Sequence, residues 1–289
     1  MRIWIDGELR SRDDATVSVF DHGLLYGDGV FEGIRVYARR IFRLDAHLDR
    51  LYDSARAIAL DVGMPPARMA AVVCEVVREN RCENGYVRLV VTRGVGDLGV
   101  DPRKCAKPTV FVICTDIAVF PRERYEAGIR VVTAGTRQVA PDVFDARIKS
   151  LNYLKNVLGK LQAIAAGADE AVLLNAQGYV AECTVDNVFV VRRGRLLTPA
   201  AEDGALEGIT RGAVLQLAGE AGIPAGEARL APFDLHTADE CFVTGTGAEL
   251  MPVVAVDGRT VGDGRPGPIT RRLGEAFTAL ARREGDPVW

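Results

Sequence analysis

Apolar and polar residues alternate from Ile3 to Leu9 around Asp6-Gly7, a dipeptide that favours a two-residue hairpin turn. Runs over 16–20 and 29–37, broken by glycines, predict further strands. The period then lengthens: Leu44, Leu48, Leu51, Ala55, Ile58 and Ala59 mark one face of a helix over 44–60, and 67–79 predicts another. Strand signals return at 86–92 and 109–115, so the first part of the chain reads as α+β. A polar stretch punctuated by proline and glycine follows at 120–128, and the domain boundary is placed near Pro121. This divides the chain into an N-terminal α+β domain, 1–120, and a C-terminal α/β domain, 121–289. In the second half a strand is predicted at 129–134. Leu151, Leu154, Leu158 and Leu161 then carry a helical period, which puts Lys149 at a helix entrance. Strands at 170–175, 179–182 and 187–192 precede a helix over 210–221 that stops at Gly222. A strand at 241–244 and a helix over 270–283 complete the pattern.

Composition narrows the function classes. With 289 residues, 48% hydrophobic and 26% charged, the chain suits a globular enzyme long enough for two cores. A net charge of -3 argues against general attraction to nucleic acid or to an anionic membrane. There is no basic-then-apolar leader and no apolar run near the roughly 20 residues that span a bilayer, so a cytoplasmic location is expected. Cys74, Cys82, Cys105, Cys114, Cys183 and Cys241 are scattered singly and only three histidines occur, which predicts reduced thiols and no structural metal.

Several segments carry candidate chemistry. Gly94-Val95-Gly96-Asp97-Leu98-Gly99 matches the dinucleotide fingerprint, but Pro102, Pro108 and a strand by about 109 leave no room for the helix that must receive a pyrophosphate. It reads as a loop, and a nicotinamide dehydrogenase is set aside. Lys149 is either a solvated lysine before an amphipathic helix or an amine able to condense with an aldehyde. If the helix already includes Lys149, Tyr153 shares its face. Gly208-Ile209-Thr210, with Thr210 at a helix N-cap, and Thr244-Gly245-Thr246-Gly247-Ala248 are either ordinary capped turns or nests for a phosphate. Glu182, ending a strand, is either a surface glutamate or a carboxylate able to hold a pyridine nitrogen protonated. Arg50 is either a solvated helix residue or a fork for phosphate.

Taken in order, seven motifs resemble the fold type IV pyridoxal phosphate enzymes, and most closely the branched-chain amino acid aminotransferases. They are Tyr26-Gly27-Asp28-Gly29-Val30-Phe31-Glu32-Gly33-Ile34-Arg35, His47-Leu48-Asp49-Arg50-Leu51, Tyr86-Val87-Arg88, the Lys149 segment, Glu182 to Phe189, and the two glycine-rich turns. The resemblance covers nearly the whole chain. It implies an α/β fold (α+β, two domains) like that of D-amino acid aminotransferase, with pyridoxal 5'-phosphate at the domain interface. It also implies a homodimer or higher homo-oligomer.

By that resemblance Lys149 carries the internal aldimine and shuttles the α-proton. Glu182 pairs with the pyridine nitrogen, Tyr153 with the phenolic oxygen, and Leu206 packs on the ring. Arg50, Gly208, Ile209, Thr210 and Thr246 serve the phosphate. Phe31, Arg35, Tyr86, Arg88, Thr246, Gly247 and Ala248 contact substrate, and Tyr26 comes from the partner subunit. The implied substrates are leucine, isoleucine or valine with 2-oxoglutarate, giving branched-chain 2-oxo acids and glutamate by a ping-pong reaction. Two cousins remain: D-amino acid aminotransferases, which carry basic residues where this chain has 95–100, and aminodeoxychorismate lyases, which lack the Tyr86-x-Arg88 pattern. Val185 stands where many relatives carry glycine.

Overall fold

The computed structural model describes residues 1–117 and 120–289. The chain divides into two compact units: Met1–Ile117 with Ile148–Asn152 and Ala281–Trp289, and Ala118–Arg147 with Tyr153–Leu280.

The first unit opens with β1 (Arg2–Ile5) and β2 (Glu8–Ser11), joined at Asp6-Gly7 with Ile5 opposite Glu8. Both turn residues have positive φ, 48° and 102°, as a primed hairpin turn requires. Then come α1 (His22–Tyr26), β3 (Gly29–Tyr37), β4 (Arg40–Ile41), α2 (Leu44–Ala57), α3 (Pro66–Glu79), β5 (Gly85–Thr92) and β6 (Thr109–Thr115). The predicted strand at 16–20 does not form: Val17, Val19 and Phe20 are exposed in a turn-rich connection, so their alternation has no sheet face to bury.

The second unit contains α4 (Arg122–Ala127), β7 (Ile129–Arg137), α5 (Leu154–Ala165), β8 (Glu170–Leu174), β9 (Val180–Cys183), β10 (Asn187–Arg192) and β11 (Arg195–Thr198). It continues with α6 (Ile209–Glu220), β12 (Ala225–Glu227), α7 (Pro232–His236), β13 (Glu240–Gly245), β14 (Glu249–Val256) and β15 (Arg259–Thr260). Helix α8 (Pro268–Arg283) runs from this unit into the C-terminal segment of the first, where β16 (Asp286–Pro287) lies.

In the first unit the order β16-β4-β3-β5-β6-β1-β2 makes one antiparallel sheet. Alternation gives β5 two characters: Val87, Leu89 and Val91 join the core with Val72 and Val76 of α3 and Leu48 and Leu51 of α2, while Tyr86 and Arg88 project from the other face. The second unit has a mixed sheet in the order β12-β11-β10-β13-β14-β7-β8-β9, with β15 pairing β14. β14, whose run is interrupted by Pro252, is the main strand the sequence pattern does not announce, because proline ordinarily marks edges or breaks. Here it sits between β13 and β7.

Two boundaries differ from expectation. Segments 148–152 and 281–289 pack with the first unit, whereas the pattern assigns everything after 120 to the second. Hydrogen bonding explains both: Phe31 N donates to Lys149 O and Leu151 N to Gly29 O, while β16 pairs β4. Lys149 is also not at a helix entrance, since α5 begins at Leu154, with Tyr153 as its N-cap. Lys149 and Tyr153 therefore do not share a helical face.

Candidate active site

Lys149 is held by its main chain. Its N–H donates to Ser54 Oγ at 3.1 Å, its carbonyl accepts from Phe31 at 3.0 Å, and Ser150 bridges Val30. This edge pairing aims the side chain at the β3 surface, where Nζ lies 4.8 Å from the centre of the Phe31 ring. On the same ring the Arg88 guanidinium lies 4.4 Å away, and Arg88 is 5.5 Å from the Tyr86 ring. The register places Gly33 opposite Arg88 and Arg35 opposite Tyr86. Gly33 is required by contact: a Cβ there would collide with the Tyr86 phenol. Burial pushes the Tyr86 hydroxyl above its ordinary pKa, against the opposing pull of Arg88. Lys149, Phe31, Tyr86 and Arg88 thus form one cluster of aromatic walls and cations. Arg35 stacks on Tyr37 at 4.9 Å. Tyr26 lies on α1, accepting from Gly99 N at 2.7 Å and meeting His22 edge to face.

Arg50 is not a solvated helix residue. Its Nε and Nη2 donate to Glu32 at 2.7 and 2.8 Å, and His47 Nδ1 donates to the same carboxylate at 2.7 Å. Glu32 is fully buried and His47 nearly so. Burial alone would push the Glu32 carboxyl up, but Arg50 and His47 outweigh it and hold it far below the usual range. Burial pushes His47 down, against the pull of Glu32, and the charges of Arg50 and Lys149 push it down further. Lys149 therefore borders this trio electrostatically. The sequence does carry a signal for Glu32, which occupies the buried register of a strand between Val30 and Ile34.

In the second unit, Glu182 on β9 is nearly buried and well supplied with donors. Its Oε1 accepts from Gln138 Nε2 at 2.7 Å and lies 3.8 Å from Lys155 Nζ, while Oε2 accepts from Leu206 N at 2.9 Å. It is not a surface glutamate. Neither Gln138 nor Lys155 carries a signal in the sequence, because tertiary contact alone brings them to the carboxylate.

The Gly208 segment also differs in detail. The N-cap of α6 is Gly208, and Thr210 lies one residue inside the helix, 4% exposed. Gly208 offers no capping side chain, so the amides of Ile209, Thr210 and Arg211 open the first turn without one. A Cβ at Gly208 would collide with Asn187 Oδ1, and Asn187 Nδ2 donates to Leu206 O. Asn187 also pairs Thr244 across β10 and β13, and a Cβ at Gly245 would collide with Asp186 Oδ1. Segments 182–187, 206–211 and 244–248 therefore converge, with Thr246, Gly247 and Ala248 in the turn after β13. Thr244 Oγ1 is buried with no hydrogen-bond partner among the described residues. Val185 is exposed in the turn between β9 and β10, and its φ is not positive, so a branched residue stands there without left-handed strain. The loop at 94–99 begins no helix at its glycines: Val95 bridges Asp21 and His22 Nε2 meets Asp97 O.

Each unit carries groups that suit part of a phosphorylated heterocyclic aldehyde: in the first, an amine beside aromatic walls; in the second, a carboxylate fixed by donors and an uncapped helix start near an orphaned hydroxyl. Comparison with known proteins agrees. The family model for amino-transferase class IV matches residues 29–256. A provisionally named branched-chain-amino-acid aminotransferase of Methanocaldococcus jannaschii is 49% identical over 289 residues, covering 100% of this chain and 99% of the relative. The crystal structure of Escherichia coli branched-chain amino acid aminotransferase superposes with a TM-score of 0.95 at 36% identity, covering 100% of this chain and 97% of that one. The branched-chain amino acid aminotransferase of Thermobaculum terrenum, in its pyridoxal phosphate holo-form, gives 0.91 at 29% identity over 100% and 98%. The chain belongs to the class IV aminotransferases. It is a transaminase with their α/β fold.

Proposed function

We propose that this aminotransferase uses pyridoxal 5'-phosphate to move the amino group of L-leucine, L-isoleucine or L-valine to 2-oxoglutarate in two half-reactions, acting in the cytoplasm. The observation that carries the reading is the Lys149, Phe31, Tyr86 and Arg88 cluster, which joins an amine to aromatic walls and a guanidinium. Bound pyridoxal phosphate supplies an aldehyde for condensation and a ring that accepts electrons from the substrate α-carbon. Lys149 supplies the amine and carries the proton to and from that carbon. Glu182 would keep the ring nitrogen protonated, Tyr153 would serve the phenolic oxygen, and Leu206 would pack on the ring. The Gly208, Ile209 and Thr210 segment, with Thr246, would take the phosphate, and the resemblance assigns Arg50 to the same group. Arg35, Thr246, Gly247 and Ala248 contact the substrate, and Tyr26 is donated by a second subunit.

One pocket must accept an aliphatic side chain in one half-reaction and the γ-carboxylate of glutamate in the other. Phe31 and Tyr86 suit the first task, and Arg88, stacked on both, suits the second by pairing bidentately with the carboxylate. Arg88→Gln is expected to raise KM for 2-oxoglutarate on the order of a hundredfold, as loss of a charged hydrogen-bond partner implies, while leucine changes far less. Full activity of this variant with 2-oxoglutarate overturns the assignment. The absence of a basic side chain from 95–100 supports the L-amino acid reading over its D-specific cousin.

Assembly as at least a homodimer is supported by α5. Leu154, Val157, Leu158, Leu161 and Ile164 form an exposed apolar stripe at helical spacing, while Asn156, Gly159 and Ala163 are buried on the opposite side. A Leu158→Glu/Leu161→Glu variant is expected to sediment as a smaller species than the parent at micromolar concentration. Unchanged sedimentation contradicts the role of this stripe.

A further inference from the structure

Lys155 lies one turn before Gly159 and two before Ala163, on the side by which α5 is seated in its own unit. Gly159 lets this seat be close, since a Cβ there would touch Leu173 and Thr184 at 3.0 and 3.1 Å. The neighbouring Asn156 donates to Thr184 O. The Lys155 side chain is 19% exposed and that of Glu182 11%, with Nζ and Oε1 3.8 Å apart. Gln138 donates to the same Oε1 and is itself oriented, donating also to Gly204 O and accepting from Val139 N. The lysine is thus a half-buried cation delivered to a carboxylate that two amides already hold in place.

We propose that Lys155 is a positioning residue for Glu182: by sharing the carboxylate's charge it sets how strongly Glu182 holds a proton on the cofactor's ring nitrogen. This inference rests on the assignment of Glu182 to that nitrogen. A carboxylate with a cation beside it is a weaker base and a weaker partner for a second cation than one without. The pair Gln138 and Lys155 therefore divides two tasks, the amide fixing direction and the ammonium moderating charge. Burial pushes the Lys155 amine below its ordinary pKa, against the pull of Glu182, as expected of a cation lodged against one anion rather than in water.

The test is carried out on holoenzyme loaded with cofactor labelled with nitrogen-15 in its ring, whose chemical shift reports ring protonation as the pH is raised. Lys155→Met is expected to move the deprotonation midpoint upward by about one pH unit, the scale on which a charge within several ångströms acts. Lys155→Arg keeps the charge and is expected to leave the midpoint within about 0.3 unit of the parent. If Lys155→Met does not fold, Lys155→Gln removes the same charge. An unmoved midpoint in the neutral variants, or an equal shift in the arginine variant, overturns the proposal. The assignment of Glu182 is judged separately by Glu182→Gln, whose ring nitrogen should lose its proton across the whole range. A ring that stays protonated in that variant defeats the reading of Glu182, whatever Lys155 does.

Discussion

Replacing Lys149 by alanine is expected to abolish the visible absorption of the lysine-bound cofactor and to lower transamination on the order of 10⁴-fold or more, the scale seen when a covalent catalytic group is removed. The fold should survive. The segment is held by main-chain bonds, from Lys149 N to Ser54 and from Phe31 N to Lys149 O, which alanine retains. What is lost is an amine over the Phe31 ring, so the stability change should stay within about 1 kcal/mol. Thermal melting beside the absorption spectrum separates the two effects. A variant that remains coloured and active removes Lys149 from the chemistry, and one that unfolds shows that its role is structural.

Glu32→Gln is expected to give the largest stability loss among the site residues, about 3 kcal/mol, because it leaves Arg50 and His47 facing an uncharged amide in a buried place. Arg50 is 12% exposed, which limits the figure to the low end of the range for a broken buried pair. The pH dependence carries the same signature. Glu32 is lowered from an ordinary value of 4.5, so its contribution is complete above 4.5 and is lost as the pH falls below it. His47 is lowered from 6.5, so the unfolded chain binds its proton first and stability begins to decline as the pH falls below 6.5. Denaturant titrations across this range should show an acid limb in the parent that is shallower below 4.5 in Glu32→Gln. Equal limbs in both proteins contradict the account of Glu32 as an ionised, buried hub.

Much of this is legible without coordinates. The hairpin at Asp6-Gly7, the strands β3, β5 and β6 and the helices α2 and α3 follow from period and punctuation, since each has one buried face. The family is legible because its motifs are contiguous in sequence: Lys149, Glu182 and the Gly208 turn each lie in a short diagnostic stretch. What escapes depends on contacts between distant segments. Gln138 and Lys155 reach Glu182 from β7's end and from α5, at separations of 44 and 27 residues, and no local pattern encodes such a meeting. The apolar period after Lys149 is indeed helical, but periodicity cannot say that its leucines face outward, nor that a stretch of non-helical chain separates the lysine from the helix. β14 is hidden by Pro252, and 16–20 imitates a strand without neighbours to pair with.

The most direct test of the central claim is the half-reaction itself: the purified holoenzyme is mixed separately with L-leucine, L-glutamate and D-alanine, and conversion of the lysine-bound cofactor to its amine form is followed by absorption. Rapid conversion with L-leucine and L-glutamate and little with D-alanine is expected. Conversion with D-alanine alone, or no lysine-bound cofactor at the outset, contradicts it.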